Sequence, residues 1–222
     1  MFNSPFMEAE TNNNIPSDTD IIFVSDFFVE DILGGAELTT EALIESSPFK
    51  VYKLHSRDVT SELLEQGLDK HWIFGNFAHM SLQLIPSIVA NLNYSIVEYD
   101  YKFCKYRSPQ KHINKEGTCT CHNDMHGKMI SAFMYGSKSL WWMSEAQQSI
   151  YLEHFPFLAE KDGTVLSSVF SEKFFSAIDH LTQQNQDIER EGYLVLGSTS
   201  WVKGTDDAIQ HCVNNDLEYE II

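Results

Sequence analysis

The chain has 222 residues, 43% hydrophobic and 13% aromatic, with a formal net charge of -17 at pH 7. That length suits one sizeable core and part of a second, and the composition excludes disorder over most of the chain. The acidic balance argues against nucleic acid or anionic lipid as a partner, and the sequence holds no apolar run of about 18 residues able to span a membrane.

Met1 to Asp20 is rich in Asn, Ser, Asp and Glu, without the basic start and apolar run of a signal peptide. It reads as a disordered tail on a soluble, cytoplasmic protein. Ile21 to Asp26 is a short β-branched run with the near-continuous apolar character of a buried parallel strand. Gly34 and Gly35 lead into a helix over Ala36 to Ser46 that Pro48 closes. A strand at Lys50 to His55, a helix at Val59 to Gly67 and a strand at His71 to Phe77 follow. Met80 to Asn91 has helical spacing interrupted by Pro86, and Tyr94 to Tyr101 is a further strand.

The polar segment 102–127 reads as a long insertion loop without a core, a candidate lid for ligand recognition. A helix is expected from Lys128 to Tyr135, a strand at Ser139 to Met143, a helix capped by Ser144 and stopped at Phe155-Pro156, and a strand at Thr164 to Val169. Strands alternating with helices from 21 to 170 predict an α/β fold, an open parallel sheet with helices on both faces. Residues 171–192 read as a helix that joins domains. A second start follows, with a strand at Tyr193 to Gly197, a helix at Thr205 to Asn214 and a strand at Glu218 to Ile222. One βαβ unit cannot cover both faces of its two strands, so 193–222 is expected to pack on the first domain or against a second copy in a homodimer.

Two segments resemble the retaining glycosyltransferases of the two-Rossmann-domain type: Asp26 to Glu37, with Gly-Gly-Ala-Glu after strand one, and Tyr193 to Ile209, with Lys203-Gly204 at a helix entrance. The resemblance implies an amino-terminal, acceptor-side domain followed by an incomplete donor-side domain. The partners it implies are a nucleotide-sugar donor and an unknown acceptor, with no cofactor required for transfer and little or no activity from this chain alone. It places Gly34 and Gly35 near the donor diphosphate, Glu37 in the same loop facing the cleft as an acceptor ligand, and Lys203 as a cation that neutralises the leaving diphosphate. The second basic position of the family, just after Gly197, is Ser198 here. A plain tight turn at the glycines and a solvated helix-entry lysine are the simpler readings. A non-catalytic binding module on the same fold is the alternative function. A dinucleotide enzyme is disfavoured because no G-x-G-x-x-G follows strand one.

Sugar transfer needs an acceptor hydroxyl held in line with the donor carbon. Asp26, His79 and Asp100 fall just after predicted strands, at the edge where open α/β sheets bind ligands. Asp100 and His79 are therefore candidate catalytic groups, orienting or deprotonating an acceptor, and Asp26 a candidate acceptor ligand. Glu145 is either a first-turn helix carboxylate or a sugar ligand. Trp141 and Trp142 alternate across a strand and read as core. Finally, Cys104, Cys119, Cys121 and His122 lie within one short stretch and are the candidate metal ligands, with His112 and His126 nearby. Structural zinc, free thiols and a disulfide are all open from spacing alone.

Overall fold

The computed structural model describes residues 14–186, 189, 191–198 and 200–222. Six parallel strands form one sheet: β1 (Ile21–Ser25), β2 (Val51–His55), β3 (His71–Phe74), β4 (Asn93–Glu98), β5 (Ser139–Trp142) and β6 (Asp162–Val165). Their order is β2-β1-β3-β4-β5-β6. The chain winds from β1 to β2 in one direction, then crosses to β3 on the other side of β1 and continues outward. The carboxyl ends of β1 and β3 thus flank a topological switch point, where loops diverge to opposite faces and leave a crevice. No described helix is long and apolar enough to cross a membrane.

The strand register explains the core. Leu54, Val24, Phe74, Ile96 and Leu140 stand side by side across five strands. All point to one face and all are buried. That face is covered by α2 (Ser61–Gln66), α3 (Ile85–Asn91), α5 (Met125–Gly136) and α6 (Glu145–His154) through Leu63, Leu64, Ile88, Phe133 and Tyr151. Phe133 packs edge-on to Phe74 at 5.1 Å, and Tyr94 donates its buried hydroxyl to the Phe133 carbonyl at 2.6 Å. The opposite face, with Phe23, Ile73 and Val97, is thinner and is covered by α1 (Gly35–Ser46) through Leu43 and Ile44. Trp142 belongs to the first face and Trp141 to the second.

Several elements differ from the sequence expectations. The proposed tail falls outside the described residues only up to residue 13. Ile15 packs on the core, Thr19 is buried and the Asp20 carboxylate accepts from the Lys50 backbone N–H, so 14–20 belongs to the folded body. Pro86 interrupts nothing. It sits in the first turn of α3, where its missing N–H has no helical partner to lose.

Segment 102–127 is not a coreless loop. It contains α4 (Pro109–Glu116), capped by Ser108 and ended by Gly117 in the left-handed conformation, and its Lys102, Phe103, Cys104 and Cys121 are buried. Sequence periodicity missed it because its polar helix has few apolar positions to mark a face. The following helix α5 starts at Met125, three residues before Lys128. The last strand of this sheet, β6, ends at Val165, and the backbone turns away at Ser167 with φ +63°.

After β6, α7 (Glu172–Gln184) is joined to α1 by the Lys173–Glu45 ion pair. The far end of the expected helix includes 187, 188 and 190, outside the described residues. β7 (Tyr193–Val195) and β8 (Tyr219–Ile221) form a separate two-stranded parallel sheet joined by α8 (Thr205–Asn214). Leu194, Leu196 and Ile221 of this unit are exposed.

Two glycines make opposite predictions. A methyl group on Gly67 would lie 2.6 Å from the Trp72 ring and 2.8 Å from Ile22, neither of which has room to move, whereas one on Gly35 meets nothing. Gly67→Ala is expected to lower stability by about 1–3 kcal/mol through overpacking, and Gly35→Ala to lower it not at all. Urea unfolding of the two variants in parallel checks this.

Candidate metal centre and sheet-edge site

Cys104, His112, Cys119 and Cys121 bring one ligand atom each to within 4.8 Å of one another. His112 is delivered by α4, Cys104 by the turn after β4, and Cys119 and Cys121 by the connection into α5. The Sγ atoms of Cys104 and Cys121 each lie 3.5 Å from His112 Nδ1, and the sulfurs of Cys104 and Cys119 are 3.8 Å apart. A tetrahedral ion with bonds of about 2.3 Å to sulfur and about 2.0 Å to nitrogen has edges of about 3.5 Å for S–N and about 3.8 Å for S–S. These three separations match those edges, and with all four atoms within 4.8 Å of one another the cluster has the donor set to hold a metal such as zinc. The cysteines are not bonded to one another.

The histidine that joins the three cysteines in this cluster is His112, not His122. The His122 ring stacks on His154 at 4.4 Å, and its Nδ1 has no hydrogen-bond partner. His112 instead presents Nδ1 to the sulfurs while Nε2 lies 3.0 Å from a Glu116 oxygen. A carboxylate behind a ligating imidazole fixes its tautomer and orientation. The Lys105 ammonium, the Tyr106 hydroxyl and His112 hold the Glu116 carboxyl down at about 2. Burial pushes the Cys119 thiol up to about 12 and also raises Cys104, so metal entry has to displace their protons. The signal that would have found His112 is its spacing to Glu116, i and i+4, between the Ser108-Pro109 start and the Gly117 end of a short helix.

The second concentration of polar groups lies at the switch point. Asp26, just after β1, is buried, and its carboxylate accepts from the backbone N–H groups of Ala78 and His79 at 3.1 Å each and from the Ser56 hydroxyl. It ties together the loops after β1, β2 and β3. The expected acceptor ligand is thereby a residue that shapes the edge. His79 is half exposed, with Nδ1 3.8 Å from Asp26 and its ring edge-on to Phe27. Asp100 stands between two cations, 3.3 Å from Arg107 Nε and 3.6 Å from Lys102 Nζ. Gln147, which drew no attention in the sequence, donates to the Asp100 carbonyl at 3.0 Å and accepts from Met143 N–H at 2.8 Å, bridging the ends of β4 and β5. Glu145 is exposed in the first turn of α6.

Gly34 and Gly35 do not adopt positive φ, so a left-handed turn is not the reason for them. Gly34 is extended at φ -128°, and Glu37 folds its carboxylate over the spot a Gly34 side chain would take. Above Gly35 the space is open. Lys203 is exposed at the turn before α8. The β7-α8-β8 unit touches the metal segment directly: Trp201 packs edge-on to Tyr106 at 5.3 Å, the Lys115 ammonium lies 4.6 Å over the Trp201 ring, and Lys111 pairs with Asp207 at 2.8 Å.

Comparison with protein-family models, curated proteins and solved structures gives no match to this chain.

Beneath the edge, Glu98 ends β4 fully buried, 3.3 Å from the Lys102 ammonium, with its Oε2 lacking a partner. Burial raises its carboxyl to about 7, against the pull of Lys102. Tyr151, equally buried beside it, is held protonated by the same desolvation and by the Glu98 and Asp100 charges.

Two predictions follow from these clusters. Purified chain is expected to carry one equivalent of zinc by elemental analysis, lost in Cys121→Ser and in His112→Asn but retained in His122→Asn; retention in His112→Asn with loss in His122→Asn would reverse the ligand assignment. For Glu98, the proton bound in the folded state is released on unfolding once pH exceeds the ordinary carboxyl value of 4.5. Its contribution to stability therefore declines as pH rises from there to about 7 and is level above. The unfolding midpoint of the wild type should drop relative to Glu98→Gln across that window, measured by urea titration at several pH values.

Proposed function

We propose that the chain is the acceptor-side part of a glycosyltransferase that moves a sugar from a nucleotide-sugar donor to an acceptor hydroxyl, with β7-α8-β8 opening the donor side. The observation that carries this reading is the contact of Trp201 and Asp207 with Tyr106 and Lys111, which sets the entrance of α8 against the segment bordering the switch-point crevice. A crevice at the carboxyl ends of parallel strands, faced by the start of a second parallel unit, is where a donor and an acceptor would meet.

In this reading His79, half exposed with the Asp26 carboxylate behind it, takes the acceptor proton, and Asp100, steadied by Lys102 and Arg107, orients the acceptor. Departing diphosphate charge is met by backbone N–H groups at the start of α1, reached over the open space at Gly35, and by the Lys203 ammonium. Glu37, folded over Gly34, sets the shape of that approach. The Cys104–His112–Cys119–Cys121 cluster holds zinc in a structural role. A zinc ion held by these four side chains would have a closed coordination sphere with no position for substrate. The zinc orders the turn that carries Lys102 and Arg107.

A thermal-shift panel of UDP-, GDP- and ADP-sugars on the zinc-loaded chain tests the reading. One nucleotide class is expected to stabilise the protein, with the shift abolished in Gly35→Val and reduced in Lys203→Ala while both variants fold normally. Equal shifts in the wild type and both variants would remove the assignment of those residues, and no shift with any sugar nucleotide would remove the donor site from this chain.

A further inference from the structure

Beside the metal cluster, a cavity of about 280 Å³ opens between the loop after β3, the turn after β4 and α5. Its ionisable walls run against the charge of the chain. Lys102, Lys105, Arg107 and His126 line it, Phe77 and Ile130 supply apolar surface, and none of the described lining residues is acidic. The whole chain has 32 acidic against 15 Lys and Arg residues, so a concave wall with only basic titratable side chains other than a cysteine is a local reversal.

The two central cations are built in rather than draped over the surface. The Lys102 side chain is 1% exposed, and its ammonium rests 5.3 Å above the Phe77 ring. Arg107 has φ +56°, a conformation that a non-glycine residue adopts at a cost and that persists where the surroundings impose it. Here the imposition is a closed turn. Cys104 N–H donates to the Tyr101 carbonyl at 2.8 Å, Arg107 N–H to the Cys104 carbonyl at 2.8 Å, and Tyr101 N–H to the Arg107 carbonyl at 3.4 Å. Cys104, at the centre of this turn, is one of the four metal-ligand candidates.

The carboxylates that accompany these cations stand behind them and are not among the described lining residues. Glu98 and Asp100 flank Lys102, Asp100 and Asp26 orient Arg107 through Nε and Nη2, and Glu116 holds the Lys105 ammonium. A guanidinium flanked by carboxylates on Nε and Nη2 has N–H donors left over, and its planar fork suits recognition of oxyanions.

We propose that this cavity binds the phosphate group of a small phosphorylated molecule, with the phosphate on Arg107 and Lys102 and the carbon body against Phe77 and Ile130. Its volume is at the small end of ligand pockets, which start at about 300 Å³, and suits a phosphate with a short polyol or sugar body rather than a nucleotide. The inference concerns binding alone and holds whether or not the chain transfers sugar. Because Arg107 is placed by the turn around Cys104, phosphate binding depends on the metal.

The test uses the full zinc-loaded chain and inorganic phosphate, with ¹H–¹⁵N spectra followed through the titration. Phosphate is expected to shift the amides of Ala78, Arg107 and Ile130, with affinity falling about ten-fold or more in Arg107→Gln, as loss of a charge-assisted hydrogen bond requires, and unchanged in Lys203→Ala. Chelation of the zinc should weaken binding to a similar degree. Should Arg107→Gln fail to fold, the amide map in the wild type decides the site by itself. Phosphate that shifts only residues around Gly35 or Lys203, or affinity lost in Lys203→Ala and kept in Arg107→Gln, overturns the proposal, as does no shift at millimolar phosphate. Sugar nucleotides that fail to bind while phosphate does would remove the donor site from this chain and leave this proposal standing.

Discussion

The sheet edge of this protein is organised by one buried carboxylate. Asp26 follows β1, and its two oxygens accept donors from the loops after β2 and β3, the neighbours of β1 on either side. A buried carboxylate is costly unless its lone pairs are filled, and each of these bonds is charge-assisted. The loops have to adopt the conformation that supplies those donors. That requirement fixes the floor of the switch-point crevice, puts His79 at its rim and offers Arg107 its second carboxylate neighbour at 3.9 Å.

A parallel sheet specifies its core well and its edge poorly. The strands are near-continuous apolar runs, and the register that aligns Leu54, Val24, Phe74, Ile96 and Leu140 follows from burying them under four helices. This part was legible in the sequence: the β-branched and aromatic runs gave strand number, order of alternation and the α/β class. The stretch from 102 to 127 was not, because its order comes from polar chemistry rather than apolar periodicity. A helix with mostly polar residues, a turn closed around Cys104 and four candidate metal ligands leave little trace at a period of 3.6. The cysteines announced themselves, but the histidine that joins them is not the one beside them in sequence. His122 adjoins Cys121 in sequence, whereas His112 reaches the sulfurs from another element with Glu116 one helical turn behind it.

The same distinction sorts the edge residues. Placement after a strand was enough to bring Asp26, His79 and Asp100 to one side of the sheet, but it could not say which would be consumed by structure. Asp26 is spent on three hydrogen bonds, His79 keeps its ring half exposed, and Asp100 shares itself between two cations. Gln147 carried no signal, since one buried glutamine in the first turn of a helix looks like any other until its amide is found bridging β4 and β5.

The cluster of ionisable groups around Lys102 shows why a strongly acidic chain retains a buried lysine. Alone, its ammonium would carry a desolvation cost of several kcal/mol. It is offset by Glu98 within hydrogen-bond distance, by Asp100 and by the face of Phe77. Glu98 in turn is so desolvated that its carboxyl rises to about 7 even with that cation beside it. Burial thus works against the carboxylate form of Glu98 while the Lys102 ammonium works for it. An anion in the adjoining cavity would draw on the lysine and favour the protonated carboxyl, whereas an empty cavity leaves the lysine to Glu98. Proton uptake on anion binding between pH 6 and 8, absent in Glu98→Gln, is the thermodynamic mark of that coupling, because a ligand that favours one protonation state must by linkage carry the proton with it.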